Sequence, residues 1–286
     1  MTDFEKRDFN ARQAVYGAAK YLIELNHKVV SVNLYGSQNY DCDTPTSDFD
    51  LKAIVVPSMD DVIFNRKPIS TSIEFEGGLI DIKDIRLMFD NYKKQNVNFI
   101  ETLFTRWFWA APDFVHEWDQ VREIANRIAF ADPAKSINCM IGMAKEKQHA
   151  LCQPYPSKIA IIEKYGFDPK QLMHIIRLHN LMQRFIWIFD LDQDRDYGSL
   201  LIPDDNTIDY LMMIKTMSME TLWTPEQAKT MAATHIEAME ELREIFKIRH
   251  EDFWTKIDQA AYDDFDAIRG VIMRKSFATE IFGGNW

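Results

Sequence analysis

Apolar residues recur at helical spacing over residues 4–26, at Ala14, Val15, Ala18, Ala19, Tyr21, Leu22 and Leu25. That pattern predicts an amphipathic helix. The period then changes. Residues 29–35, VVSVNLY, are rich in β-branched and aromatic side chains and predict a strand. A polar loop, 36–48, follows, punctuated by Gly36 and Pro45. A second strand is predicted over 49–56, stopped by Pro57. Third and fourth strands are predicted over 70–75 and 79–83, joined by a tight turn at Gly77-Gly78. After residue 84 the helical period takes over. Helices are predicted over 84–94, 97–108, 112–130, 134–151, 157–165, 169–189, 205–217, 224–248 and 251–274, with Thr224 as an N-cap before Pro225. The expected class is α+β: a small mixed sheet with flanking helices over 1–110, then a mostly helical part over 111–286.

The polar loop and its flanks carry the candidate chemistry. Asp48 and Asp50 are two apart, and on a strand they project from the same side while Phe49 and Leu51 turn inward. Two adjacent carboxylates repel unless a cation lies between them. Oxygen ligands with one or two carboxylates per ion suit Mg²⁺, which also takes phosphate oxygens. Asp81, in Ile80-Asp81-Ile82, is a third acid with apolar neighbours on a later strand. Beside the first two it would complete a set for two ions and an in-line phosphoryl displacement. The same alternation puts Lys52 with Asp48 and Asp50, and Lys83 with Asp81, where either lysine would neutralise phosphate charge. Gly36 lets backbone approach a triphosphate, and Ser37 offers a hydroxyl. The loop lacks the Gly-Lys-Ser/Thr core of a Walker loop. A lone Asp-x-Asp is more often a solvated strand edge, and a lone Gly-Ser a turn. The joint spacing is what gives the pattern its weight.

Composition narrows the picture. The chain has 286 residues, 47% hydrophobic and 27% charged, the profile of a globular protein with a sizeable core. Its net charge of -11 weighs against a general nucleic-acid coat, because such binding draws on many lysine and arginine contacts to phosphate. A local basic groove for one end of a nucleic acid stays compatible with it. Three cysteines without a C-x-x-C pair point away from a disulfide framework and a thiolate zinc site. No apolar run is long enough to cross a bilayer, and the start MTDFEKRDFN has no apolar signal core. A reducing, cytoplasmic setting is expected.

The string from Leu34-Tyr35-Gly36-Ser37-Gln38-Asn39-Tyr40 through Ser47-Asp48-Phe49-Asp50-Leu51-Lys52 resembles the signature of the DNA polymerase β-like nucleotidyltransferase superfamily. Within that superfamily the chain is most similar to the predicted nucleotidyltransferases linked to RNA repair in bacteria and phages. Supporting stretches are Ile80 to Lys83, Asn96 to Phe104, and Lys164 to Lys170 followed by His174, Arg177 and Leu178. The resemblance spans roughly 30–185. It implies a nucleoside triphosphate donor, Mg²⁺ or Mn²⁺, and transfer of a nucleoside monophosphate to a hydroxyl, with release of pyrophosphate. An RNA 3′ end, tRNA in particular, is the implied acceptor. Asp48 and Asp50 would bind both ions, Asp81 the ion that activates the acceptor, and Gly36 and Ser37 the phosphates. One position departs: the residue after Tyr40, commonly glycine in such proteins, is Asp41. The loop is therefore expected to be reshaped or to carry an added negative charge.

Other residues admit two readings. Lys164, Tyr165, Lys170, His174 and Arg177 would form a nucleotide- or acceptor-binding wall, or simply satisfy a packed helix. Basic residues such as Lys145, Lys147, Lys158 and Arg184 would join them if RNA is the acceptor. Glu101 suits an early helical position through the helix dipole. Trp107, Phe108 and Trp109 favour core over base stacking, and Met212, Met213, Met217 and Met219 favour packing. His179, and the run Glu237, Glu240, Glu241 and Glu244, are expected on solvated helix faces. Three other functions compete: a non-catalytic nucleotide-binding or antitoxin-like module on the same fold, a nucleotidyltransferase acting on protein or small molecules, and a phosphate-releasing hydrolase.

Overall fold

A computed structural model describes residues 3–75, 78–191, 194–217 and 223–283. Gly77 of the expected turn, Met219 and the tail beyond Gly283 lie outside the described residues. The fold is α+β. The chain opens with α1 (Asp3–Glu24) and β1 (Val29–Tyr35), then β2 (Phe49–Val55), α2 (Met59–Ile63), β3 (Ser70–Phe75) and β4 (Gly78–Asp84). Next come α3 (Ile85–Lys93), α4 (Val97–Ile100) and a short strand, β5 (Phe108–Ala110). The strands form one sheet in the order β3-β4-β2-β1-β5. Only β2 and β4 run parallel; the other neighbours are antiparallel.

Strict alternation builds this sheet. Val32, Leu34, Leu51, Ala53, Ile80 and Ile82 form one core cluster with Ala11, Val15, Ala18, Ala19 and Leu22 of α1. Burying a full set of such side chains contributes roughly 1.5–3 kcal/mol each against exposure, before entropy is counted. The intervening residues of the central strands, Asn33, Tyr35, Asp50, Lys52, Asp81 and Lys83, are polar and occupy the opposite face.

The helical region divides more finely than its periodicity predicts. The helix expected over 97–108 is α4, a single 3-10 turn (Glu101–Leu103) and then β5. Trp107-Phe108-Trp109 leave the helix because β1 has an open edge, on which Asn33, Val32 and Ser31 pair with Phe108, Trp109 and Ala110. Trp107 is core, 2% exposed. The segment 112–130 splits into a 3-10 turn (Pro112–Phe114), α5 (Val115–Glu123) and α6 (Ala125–Ala129), broken where Ile124 leaves helical ψ. Beyond it lie α7 (Pro133–Ala150), α8 (Ile159–Tyr165), α9 (Pro169–Trp187), α10 (Tyr197–Leu201), α11 (Asp205–Thr216) and α12 (Pro225–Arg249). Thr224 caps α12 through a reciprocal box with Gln227. The last predicted helix is two, α13 (Glu251–Thr255) and α14 (Gln259–Phe282), the second starting at Asp258, whose side chain accepts from the Ala261 N–H at 2.9 Å.

The chain forms two compact units, residues 1–131 with 258–286, and residues 132–257. They do not follow the boundary expected at residue 110, because α14 returns to the sheet unit. Phe265 stacks on Phe89 at 4.0 Å, Tyr262 accepts from Gln95 at 3.1 Å, and Lys275 pairs with Glu117 at 3.1 Å. The two crossings of the boundary are adjacent: the Asp258 N–H donates to the Ala131 carbonyl at 2.8 Å. The second unit is helical, with α9 packed against α7, α11 and α12. Among the described residues, no helix is long and apolar enough to cross a membrane.

Candidate active site

The site begins at the end of β1. Gly36 has φ 87° and ψ -151°, a conformation essentially confined to glycine. A Cβ built there would stand 3.2 Å from the Asp50 Oδ2. Glycine is thus required twice, by torsion and by the carboxylate on the neighbouring strand. The loop then makes one 3-10 turn, Ser37–Tyr40, burying Gln38, Asn39 and Tyr40. Its polar side chains are tied down. Asn39 donates to the Leu34 carbonyl at 3.1 Å and accepts from Thr105 at 2.8 Å. Gln38 donates to the Asp48 carbonyl at 2.8 Å, fixing the start of β2 against the loop. Asp41 is left-handed, at φ 54°, the conformation for which glycine is the usual choice. Arg7 of α1 ion-pairs with Asp41 and, at 3.0 Å, with Asp43. The added charge is therefore matched within the chain.

The strand register decides which acids meet. Across β1 and β2, Tyr35 pairs with Asp50 and Asn33 with Lys52. Across β2 and β4, Lys52 pairs with Asp81, while Leu79 stands opposite Asp50. Asp81 is thus one step beyond Asp50, and both its oxygens are engaged: Lys52 Nζ lies 3.0 Å from Oδ2, and Lys83 Nζ 2.9 Å from Oδ1. The two lysines expected to meet phosphate hold Asp81 instead. Asp48 precedes the strand and is exposed; Asp50 and Ser37 are half-buried. Among the described residues, no group of three or more His, Cys, Asp and Glu side chains is placed to hold a metal ion.

Lys52 is 4% exposed, its ammonium 3.8 Å from the centre of the Tyr35 ring and 4.6 Å from that of Phe99. Burial pushes its pKa down, opposed by the Asp81 and Glu101 carboxylates. Burial, and then the charges of Asp50, Asp81 and Glu101, raise the Tyr35 phenol, so it stays protonated. Glu101, expected at an early helical position, stands instead against the Gly36 bend. It is 1% exposed, and its Oε1 accepts from the Gly36 N–H at 3.2 Å.

Lys164, Lys170, His174 and Arg177 belong to the second unit. Burial first, and then Arg177, Lys170, Lys147 and Lys215, hold the His174 imidazole well below its ordinary pKa, so it is neutral. Lys164 lies over the Tyr165 ring at 4.7 Å. Of the other cations expected there, Lys145 pairs with Glu240 at 2.5 Å, Lys158 with Asp168 at 3.2 Å, and Arg184 donates to Asn180 and to the Ile202 carbonyl. His179 is not on a solvated face: it is half-buried, with its Nδ1 2.8 Å from that of His235. Among the described residues Cys42, Cys139 and Cys152 form no disulfide.

Three comparisons with known proteins bear on this chain. No protein-family model matches it, and no curated protein does. Among solved structures it is similar to a nucleotidyltransferase-like protein from Exiguobacterium sibiricum 255-15, at 11% identity and a TM-score of 0.27, over 85% of this chain and 77% of that one.

Proposed function

We propose that this chain is a divalent-cation-dependent nucleotidyltransferase that moves a nucleoside monophosphate from a triphosphate to a hydroxyl acceptor. The observation that carries the reading is the Gly36 bend, set against the Asp50 carboxylate at the mouth of β2. Asp48 and Asp50 are the residues that fit a cation: both are carboxylates with solvent access, two apart, and Gln38 ties the Asp48 carbonyl to the loop. Asp81 fits less well, since two ammoniums already neutralise it. When bound, Mg²⁺ or Mn²⁺ supplies countercharge to the triphosphate and the leaving pyrophosphate.

The chain's own residues do the rest. Glu101 takes the Gly36 N–H, so Gly36 contributes the bend and not a donor. Ser37 offers its hydroxyl to phosphate at the start of the turn. Tyr35, protonated throughout the working range, walls the site beside Asp50. In the second unit, the cations around His174 suit an anionic ligand, and an RNA 3′ end is the acceptor we favour over a protein or small-molecule hydroxyl. One observation favours a second reading, a nucleotide-binding module without catalysis: both oxygens of Asp81 are held by lysines.

Incubation with each α-labelled nucleoside triphosphate, total RNA and protein lysate separates these readings. Label in the RNA pool, with pyrophosphate released and loss in Asp48→Ala/Asp50→Ala, is expected. Metal-linked thermal stabilisation by nucleotide, about 2.7 kcal/mol at a hundredfold excess over Kd, but without any label transfer, would leave the binding module. Free phosphate in place of pyrophosphate would make the chain a hydrolase.

A further inference from the structure

Two-ion phosphoryl transfer needs both cations within reach of the same acids, about 3.5–4 Å apart. On this sheet face one of those positions is already filled by the protein. Lys52 is two residues beyond Asp50 on β2 and directly opposite Asp81 on β4. Its ammonium does not run out to solvent. It bends back over Tyr35, the residue paired with Asp50, and ends 3.0 Å from the Asp81 Oδ2 with Phe99 close by. A single positive charge thus stands against Asp81, with the Glu101 carboxylate acting on it as well. Lys83 is different. It follows Asp81 by two on β4, farther from Asp50, and takes the other oxygen, Oδ1.

We infer that Lys52 is a built-in second cation, so that this site takes one divalent ion, at Asp48 and Asp50, and no second ion at Asp81. The inference rests on the nucleotidyltransferase reading and deepens it. A dication at Asp81 would meet an ammonium at contact distance, and like charges that close strongly disfavour one another. Expelling the lysine would break a buried ion pair and leave a desolvated charge to be rehoused. In this arrangement Asp81 is a positioning residue: it holds Lys52 at the acceptor side of the site, where the fixed ammonium lowers the cost of negative charge on an attacking hydroxyl oxygen.

Counting bound Mn²⁺ tests this without any turnover. Full-length protein is titrated with Mn²⁺ in the presence of α,β-methylene analogues of the four nucleoside triphosphates, and free Mn²⁺ is read by electron paramagnetic resonance. One ion per bound nucleotide, with no further ion on the protein, is expected for the wild type. Lys52→Met, which keeps the apolar stem and leaves Asp81 its Lys83 partner, should gain a second ion, whereas Lys83→Met should still bind one. Two ions in the wild type overturn the inference while the nucleotidyltransferase reading stands. One ion in a folded Lys52→Met overturns it as well. If Lys52→Met does not fold, Lys52→Gln, which preserves a hydrogen bond to Asp81 without the charge, takes its place under the same criterion. No bound ion in the wild type under any nucleotide would remove the metal-dependent reading itself.

Discussion

Two polar clusters in this chain handle charge by different means. On the sheet, acids and ammoniums interleave: Asp81 lies between Lys52 and Lys83, and Lys52 rests on two aromatic rings. In the helical unit, burial holds the His174, His179 and His235 imidazoles below their ordinary pKa, joined at His174 by nearby cations and at His179 by His235. The first arrangement stores fixed charge on the sheet face. The second keeps titratable groups silent near neutral pH and makes them a liability in acid. The difference is one of means: the sheet holds charge in place by geometry, while the helical unit suppresses it by burial.

The strongest way to break the contrast is Asp50→Asn. If the sheet cluster is chemical, label transfer should fall by several kcal/mol of transition-state stabilisation, on the order of 10³-fold in rate, with a urea midpoint near that of the wild type. Unchanged transfer would reduce Asp50 to a structural acid. Asp81→Asn comes next. It leaves the Lys52 ammonium buried without its main carboxylate, and should cost roughly 3 kcal/mol of folding stability; a urea midpoint equal to wild type would mean that Glu101 alone balances that charge. Gly36→Ala should cost about 1–3 kcal/mol from its torsion, and should weaken nucleotide binding more than stability suggests, because the new methyl meets the Asp50 Oδ2. Isothermal titration beside thermal denaturation separates the two effects.

The mildest effect belongs to the helical unit. Unfolded imidazoles take up protons near pH 6.5, whereas native His179 resists down to about pH 4, chiefly through burial and then through His235. The unfolded state therefore binds more protons across that window, and stability should fall as the pH drops from about 6.5 towards 4. His179→Gln should flatten the fall without abolishing it, since His174 and His235 are depressed in the same direction. An unchanged slope in the Tm profile would argue that His179 is protonated in the native state.

Much of the sheet was legible because period-two alternation names both faces at once. Leu34, Leu51, Ile80 and Ile82 announced the core, and their polar neighbours announced the opposite face. The alternation says nothing about register. Residues 81 and 50 lie on one face in any register that keeps the core, but only the observed pairing sets Asp81 against Lys52. For Glu101 the sequence left a helix-dipole and a catalytic reading level, for a related reason. Its role depends on a long-range contact with Gly36, and its local sequence is that of an ordinary helix start. β5 and α14 were misread because neighbours decided them: an open strand edge captured Phe108–Ala110, and Phe89 drew Phe265 back to the first unit.

The hydrogen bond from Asp258 to Ala131 makes the helical unit a guest in its host. Its point of departure and its point of return are next-door neighbours, so a few glycines would bridge the gap left by excising it. Such a graft site lets one unit be exchanged for another without rethreading any strand.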